Sequence, residues 1–124
     1  MEKVIVVEDN LLITAIYRHY LTALNYTIVA EVTTGEEAIE VLKDNEVDLI
    51  IMDIMLEGEI NGIEAMKEIR KKVDVPVIFV SANSDDTHFN NAMDIPNSMF
   101  LVKPITEPDL SNAVQMMTSN KGVA

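Results

Sequence analysis

Two kinds of segment alternate along this chain of 124 residues. Five short runs are continuously apolar and mostly rich in β-branched residues, the pattern of strands that are covered on both faces of a parallel sheet. These runs occupy residues 4–7, 27–30, 49–52, 75–80 and 99–102. The pattern therefore predicts five buried strands.

The segments between the runs repeat apolar side chains at the spacing of an α-helix. The predicted apolar faces are Leu12, Ala15, Ile16, Tyr20, Ala23 and Leu24; Ala38, Val41 and Leu42; Ile63, Met66 and Ile69; and Leu110, Ala113, Val114 and Met117. Residues 85–94 are polar and stop near Pro96, so we expect a short and mobile helix there. Strand–helix alternation repeated five times predicts an α/β fold with helices on both faces of a parallel sheet.

Composition narrows the class of protein. A length of 124 residues fits one domain, residues 1–124, with 120–124 expected to be a frayed tail. The absence of cysteine excludes disulfides and thiolate metal sites. No signal peptide pattern and no apolar stretch near the roughly 20 residues of a membrane span occur, so we expect a soluble, cytoplasmic protein.

The charge balance argues against direct binding to nucleic acid. The chain carries 21 acidic and 9 basic residues, a formal net charge of −12. Affinity for a phosphate backbone comes largely from Lys and Arg, and no basic stripe is visible. An acidic surface is compatible with cations and with protein partners.

Polar residues of interest directly follow the first, third, fourth and fifth apolar runs. They are Glu8 and Asp9, Asp53, Ser81, and Lys103 with Pro104. The carboxyl ends of parallel strands meet at one edge of a sheet, where open α/β sheets bind their ligands. In the flavodoxin-like strand order 2-1-3-4-5 the first and third strands are neighbours, so Asp9 and Asp53 would come together.

The predicted cluster has a definite chemistry. Two carboxylates about 4 Å apart repel by about 4 kcal/mol at an effective dielectric near 20, unless a hard cation such as Mg²⁺ lies between them. Lys103 adds a positive charge, and the Ser81 hydroxyl can donate to an oxyanion. An ionised Asp53 needs no general base to act as a nucleophile, so the set is typical of a phosphoryl-transfer site.

These residues resemble the receiver domain of two-component response regulators, over the whole length of the chain. The resemblance rests on four motifs in order: Val7-Glu8-Asp9-Asn10, Met52-Asp53-Ile54-Met55-Leu56, Val80-Ser81-Ala82 and Phe100-Leu101-Val102-Lys103-Pro104. It implies a flavodoxin-like sheet of order 2-1-3-4-5. It also implies that the protein accepts a phosphoryl group and signals through a conformational change.

The resemblance assigns roles at the site. It makes Asp53 the phosphoacceptor and gives Glu8, Asp9, Asp53 and the main-chain carbonyl of Met55 to a Mg²⁺ or Mn²⁺ ion. Lys103 would contact the phosphoryl group, and its bond to Pro104 would be cis.

It assigns two switch residues as well. Ser81 would be the switch hydroxyl and Phe100 the switch aromatic. Two positions depart from the family pattern: the loop 56–62 lacks the usual Pro after Leu56 and is one residue longer, and Phe100 replaces the more usual Tyr.

Partners follow from the same resemblance. We expect the phosphodonor to be a sensor histidine kinase or a histidine phosphotransfer protein, and the output to pass to a downstream protein. Neither direct nucleic-acid binding nor membrane insertion is expected. The protein would not be an enzyme beyond its own phosphorylation and slow autodephosphorylation.

Two residues bear on the lifetime of the phosphorylated state. Met55 and Asn83 lie two positions beyond Asp53 and Ser81, where a side chain can position the water that attacks an acyl phosphate. Met55 cannot orient water, and Asn83 carries no charge. We therefore expect the phosphorylated state to persist for minutes or longer.

Two other functions use similar parts. A flavin- or nucleotide-binding module would need a Gly-rich or hydroxyl-rich phosphate loop after the first strand, where Glu8, Asp9 and Asn10 stand instead. A Mg²⁺-dependent phosphohydrolase with an aspartyl-phosphate intermediate is the enzyme alternative. It would want a second acid or base beside Asp53, where Ile54 and Met55 stand, and a substrate-specificity cap. Flavin colour or turnover of a phosphate ester would identify these alternatives.

Overall fold

Strands and helices alternate throughout the computed structural model, which describes residues 2–82 and 86–119. The elements are β1 (Glu2–Val7), α1 (Leu11–Ala23), β2 (Tyr26–Val32), α2 (Gly35–Asp44), β3 (Leu49–Asp53), α3 (Gly62–Arg70), β4 (Val77–Ser81), α4 (Asp86–Met93), β5 (Ser98–Val102) and α5 (Glu107–Ser119). All strand pairs are parallel, and the order is β2-β1-β3-β4-β5. The predicted α/β fold and strand order are confirmed.

The sheet separates two hydrophobic cores. Side chains alternate between the faces of a strand, so Val4 and Val6 of β1 enter one core while Ile5 and Val7 enter the other. The first core lies under α1 and α5, and the second under α2, α3 and α4. Because β1, β3 and β4 are covered on both sides, their sequences read as continuous apolar runs.

The predicted helix faces hold for most helices and fail for one. The predicted faces of α3 and α5 are buried throughout, and in α2 Ala38 is buried while Val41 and Leu42 are partly so. The predicted face of α1 is wrong in part: Leu12 and Ile16 are 72% and 40% exposed, whereas Tyr20 and Leu24 are partly buried against the core. The buried residues of α1 are instead Thr14, Tyr17 and Leu21.

The error in α1 has a physical reason. A helix rotates by about 100° per residue, so a face chosen one or two residues off points away from the core. Leu12 and Ile16 are more apolar than Thr14 and Tyr17, and a pattern search prefers them. The core accepts Thr14 because its hydroxyl donates to the carbonyl of Asn10 at 3.2 Å.

Element boundaries differ slightly from the apolar runs. β4 begins at Val77, two residues later than predicted, because Pro76 has no N–H to give to a ladder. The carbonyl of Pro76 still accepts the N–H of Ile50 at 2.9 Å. Helix α4 lies within the predicted 85–94, and its mobility stays a prediction. Residues 120–124, the expected tail, lie outside the described residues.

In the described part of the chain, no helix is both long enough and apolar enough to cross a membrane.

Candidate functional site

The sheet order brings the predicted acidic residues to one edge. Val7 pairs with Met52 across β1 and β3, so Glu8 and Asp53 are the next residues of two neighbouring strands. Ser81 ends β4, which adjoins β3 on its other side. The site therefore forms at the carboxyl ends of three adjacent strands, as the sequence predicts.

Three carboxylates meet there. Glu8, Asp9 and Asp53 each offer an oxygen atom, and these atoms lie within 4.8 Å of one another. Glu8 is 1% exposed and Asp53 is 4% exposed, while Asp9 is half-buried. Water screens such charges poorly, so their mutual repulsion is strong.

Burial and the neighbouring carboxylates shift the pKa values of two of these groups. Burial raises the pKa of the Glu8 carboxyl, and the neighbouring Asp53 raises it further. Burial and the neighbouring Glu8 likewise raise the pKa of Asp9. A raised carboxyl pKa means that the charged forms of these groups are disfavoured in the folded protein. The cluster therefore destabilises the fold at neutral pH unless a cation compensates it.

Lys103 supplies part of that compensation. Its Nζ lies 2.8 Å from Glu8 Oε1 and 3.0 Å from Asp53 Oδ2. Burial lowers the pKa of Lys103, but the two carboxylates outweigh it and the pKa is raised. The ammonium is therefore charged at neutral pH. The N–H of Lys103 donates to the carbonyl of Ser81 at 2.8 Å, and the bond to Pro104 is cis, as the resemblance implies.

The remaining charge fits a divalent cation. Three carboxylates and one ammonium leave two negative charges in excess at this edge. Glu8 Oε1 is buried and contacts the ammonium of Lys103 at 2.8 Å, whereas Oε2 accepts the N–H of Asn10 at 3.1 Å. Carboxylate oxygens with unused lone pairs are suitable ligands for a hard cation. The cluster could thus hold a metal ion.

A glycine that the sequence analysis overlooked shapes the site. The N–H of Gly62 donates to the carbonyl of Ile54 at 2.8 Å. A Cβ at Gly62 would overlap the carbonyl oxygen of Asp53 and lie 2.8 Å from Met52 Cγ. Helix α3 therefore begins in contact with the backbone of Asp53. A glycine at a helix start is the one sequence signal, and it is weak.

The other predicted site residues are distributed as follows. Ser81 is fully buried at the end of β4. Phe100 is half-buried, and its ring meets that of Phe89 of α4 edge-on, with 5.4 Å between centroids. The side chain of Met55 is 56% exposed. Asn83 lies outside the described residues.

Comparison with known proteins connects this geometry to a family. The chain matches the family model of the response regulator receiver domain over residues 4–115. It is similar to the transcriptional regulatory protein PdtaR of Mycobacterium tuberculosis, with 32% identity over 117 residues, which are 94% of this chain and 57% of PdtaR. The chain spans about half the length of the curated relatives it matches.

Two solved structures are similar throughout. The signal receiver domain of a modulated diguanylate cyclase from Desulfovibrio desulfuricans is 30% identical with a TM-score of 0.88, covering 98% of this chain and 96% of that one. The receiver domain of a sensor histidine kinase from Pseudomonas aeruginosa is 26% identical with a TM-score of 0.84, covering 95% and 98%. That structure has a magnesium ion coordinated in its active site cleft.

Proposed function

This chain belongs to the response regulator receiver domain family, and from that premise we propose that Asp53 accepts a phosphoryl group from a phosphohistidine. The donor would be a sensor histidine kinase or a histidine phosphotransfer protein. One observation carries the proposal: the Asp53 carboxylate lies at the sheet edge within 3.0 Å of Lys103 and inside an acidic cluster. The whole chain would act as one domain that signals to a downstream protein.

The transfer uses groups already in place. A carboxylate oxygen of Asp53 attacks phosphorus, a P–O bond forms, and the P–N bond to the donor imidazole breaks. The imidazole leaves with the electron pair of the broken bond. Lys103 lies where its ammonium can compensate charge on the phosphoryl oxygens, and burial strengthens that interaction. The receiver therefore contributes a nucleophile and electrostatic stabilisation.

A divalent cation would complete the charge balance. Glu8, Asp9 and Asp53 would hold Mg²⁺ or Mn²⁺ together with the main-chain carbonyl of Met55. When bound, the ion supplies positive charge to phosphoryl oxygens that the carboxylates would otherwise repel. The oxygen-only donor set of the three carboxylates and the burial of Glu8 and Asp53 support a hard cation.

The direct test is phosphoryl uptake. With acetyl phosphate and Mg²⁺, the wild type should gain the mass of one phosphoryl group and Asp53→Asn should gain none, because an amide is not a nucleophile here. Intact-mass spectrometry measures both. Glu46→Gln, which removes an exposed charge away from the site, should label as the wild type does. Equal labelling of Asp53→Asn would refute the assignment.

Phosphorylated wild type and Ser81→Ala together test the proposed conformational switch. We expect the Ser81 hydroxyl to be drawn toward the phosphoryl group and Phe100 to fill the space it leaves, which changes the Phe89 contact and the α4 surface. Ser81→Ala should therefore still label but should lose the change in hydrogen exchange across β5. An equal change in both proteins would show that Ser81 is not the coupling residue.

Mg²⁺ should stabilise the protein. For a dissociation constant on the order of 1 mM, about 10 mM Mg²⁺ contributes roughly 1.4 kcal/mol, or several degrees in melting temperature. Asp9→Asn relieves repulsion, so it should be more stable than the wild type without metal and should respond less to Mg²⁺. Thermal melts with and without Mg²⁺ measure this, with Glu46→Gln as control. A full Mg²⁺ response in Asp9→Asn would exclude Asp9 as a ligand.

The phosphorylated state should decay slowly. The exposed Met55 side chain lies two residues beyond Asp53 and cannot orient a water molecule. Met55→Asn should speed dephosphorylation several-fold and leave Mg²⁺ affinity nearly unchanged, because the proposed metal contact is the main-chain carbonyl. Decay of the phosphorylated mass after donor removal measures it, with Met93→Asn as a control at another exposed methionine. A wild-type half-life of seconds would contradict the expectation.

A further inference from the structure

The start of α2 holds the loop that follows Asp53. This loop, residues 56–62, is the segment where the sequence departs from the family pattern. Thr34, which caps α2, forms an isolated parallel bridge with Glu57. A Cβ at Gly35 would lie 3.1 Å from Ile60 Cγ1, so the first residue of α2 packs against the second half of the loop.

Glu36 adds a polar contact to this packing. Its Oε2 accepts the N–H of Glu59 at 3.0 Å. Gly58 has a φ of +94°, and a Cβ there would lie 2.8 Å from Glu36 Oε1. Glycine adopts that φ without strain, and it leaves room for the carboxylate. Glu36 is itself favoured in the first turn of α2, where the helix dipole stabilises negative charge.

The end of the loop that leads into α3 is fixed by other contacts. Asn61 Oδ1 accepts the N–H of Glu64 at 2.9 Å, and Glu64 Oε1 accepts the N–H of Asn61 at 2.9 Å, which begins α3 with a capping box. The N–H of Gly62 closes the loop back onto Ile54. The middle of the loop is therefore held by contacts with the start of α2. Among these contacts, the Glu36 carboxylate accepts the hydrogen bond from the Glu59 amide.

This restraint acts on the Glu59 amide, two residues beyond the position where the family pattern has a proline. Proline after Leu56 would fix φ through its ring, whereas the backbone of Glu57 is restrained by its bridge to Thr34. Glu57 and Glu59 also bring negative charge to a loop beside an acidic cluster. A contact from α2 to the Glu59 amide opposes the movement that this repulsion favours.

We propose that Glu36 is a positioning residue of the acceptor site. Its hydrogen bond to the Glu59 amide holds the loop in the shape that presents the main-chain carbonyl of Met55 to a bound divalent cation. The inference rests on the proposed function for the role of that carbonyl. Glu36 touches neither the cation nor the phosphoryl group, so it acts through the loop.

A Mg²⁺ titration followed at backbone amides by NMR tests it. Glu36→Ala should weaken Mg²⁺ binding about three- to tenfold, the range expected when one hydrogen bond is lost. The Glu59 amide should also exchange faster with solvent in the metal-free variant. Glu36→Gln keeps an oxygen acceptor, so it should bind Mg²⁺ within about twofold of the wild type. Glu40→Ala, one turn further along α2 and paired with Lys43, is the matched control.

Each outcome decides the question. Wild-type Mg²⁺ affinity in Glu36→Ala would overturn the inference while leaving the proposed function intact. Equal weakening in Glu36→Gln and Glu36→Ala would overturn it too, because charge rather than the hydrogen bond would then be responsible. A wild type that binds no Mg²⁺ would overturn the inference and the metal proposal together. The assignment of Asp53 as the phosphoacceptor is tested separately, by comparing acetyl phosphate labelling of the wild type and of Asp53→Asn.

Discussion

Lys103→Met should lower the free energy of unfolding of the metal-free protein by about 3 kcal/mol, the cost of removing one partner from a buried ion pair. Methionine keeps much of the side-chain volume, so the loss is mainly electrostatic. The substitution removes the ammonium that lies 2.8 Å from Glu8 and 3.0 Å from Asp53. These two carboxylates are 1% and 4% exposed, so water compensates them poorly. Denaturant unfolding measures the change. Lys67→Met, at an exposed site on α3, should stay within about 0.5 kcal/mol of the wild type.

Two further measurements sharpen this result. The double variant Glu8→Gln/Lys103→Met should recover at least half of the loss, because it removes one of the uncompensated carboxylates. Mg²⁺ should stabilise Lys103→Met more than it stabilises the wild type, since the cation substitutes for the missing charge. A Lys103→Met variant as stable as the wild type would show that the ion pairs contribute little.

The loss should depend on pH in a definite direction. Burial and Asp53 already raise the pKa of Glu8, and Lys103 lowers it, so removing Lys103 raises that pKa further. A carboxyl whose pKa is raised on folding destabilises the fold fully above the raised pKa, progressively less below it, and not at all below its pKa in the unfolded chain. The difference in stability between the variant and the wild type should therefore be largest at neutral pH and should shrink as pH falls toward the ordinary pKa of a carboxyl group. A constant difference would contradict the electrostatic account.

Gly62→Ala should cost about 3 kcal/mol of stability, near the upper end for overpacking a tight site. The added methyl group meets the backbone carbonyl of Asp53, which cannot move aside as a flexible side chain can. Alanine would otherwise favour a helix relative to glycine, so any destabilisation must come from the clash. Lys67→Ala, on the exposed side of α3, controls for helix propensity. Denaturant melts of the two variants measure the difference.

Gly62→Ala should also disturb the acceptor itself. Relief of the clash requires the start of α3 or the end of β3 to move, and Asp53 lies at that end. Phosphorylation by acetyl phosphate should slow well beyond any loss of folded protein. Normal labelling together with normal stability would show that the contact of Gly62 with the Asp53 carbonyl does not require a glycine.

The strands of the fold and several residues of the candidate site could be predicted from the sequence alone. The five strands could be found because burial on both faces of a parallel sheet requires continuous apolar runs, and such runs are rare elsewhere in the chain. The positions of Asp53 and Lys103 followed, since a polar residue directly after a buried strand has one edge of the sheet to occupy. The pairing of the first and third strands needed the strand order, which the family resemblance supplied.

The tertiary structure decided what depends on distant residues meeting. The buried face of α1 was mistaken because Leu12 and Ile16 look more apolar than Thr14 and Tyr17, and no local rule says which way the helix turns toward the sheet. Periodicity fixes the period of a helix but leaves its rotation to packing.

The roles of Gly62, Glu36 and Lys103 have the same origin. Gly62 matters because α3 begins against the carbonyl of Asp53, and Glu36 because its carboxylate reaches an amide 23 residues away. Lys103 could be assigned to the site, but its contacts with both Glu8 and Asp53 appear when three strand ends converge. Sequence patterns report the average environment of a residue, whereas close approach and charge pairing are set by individual distances that arise when the chain is folded.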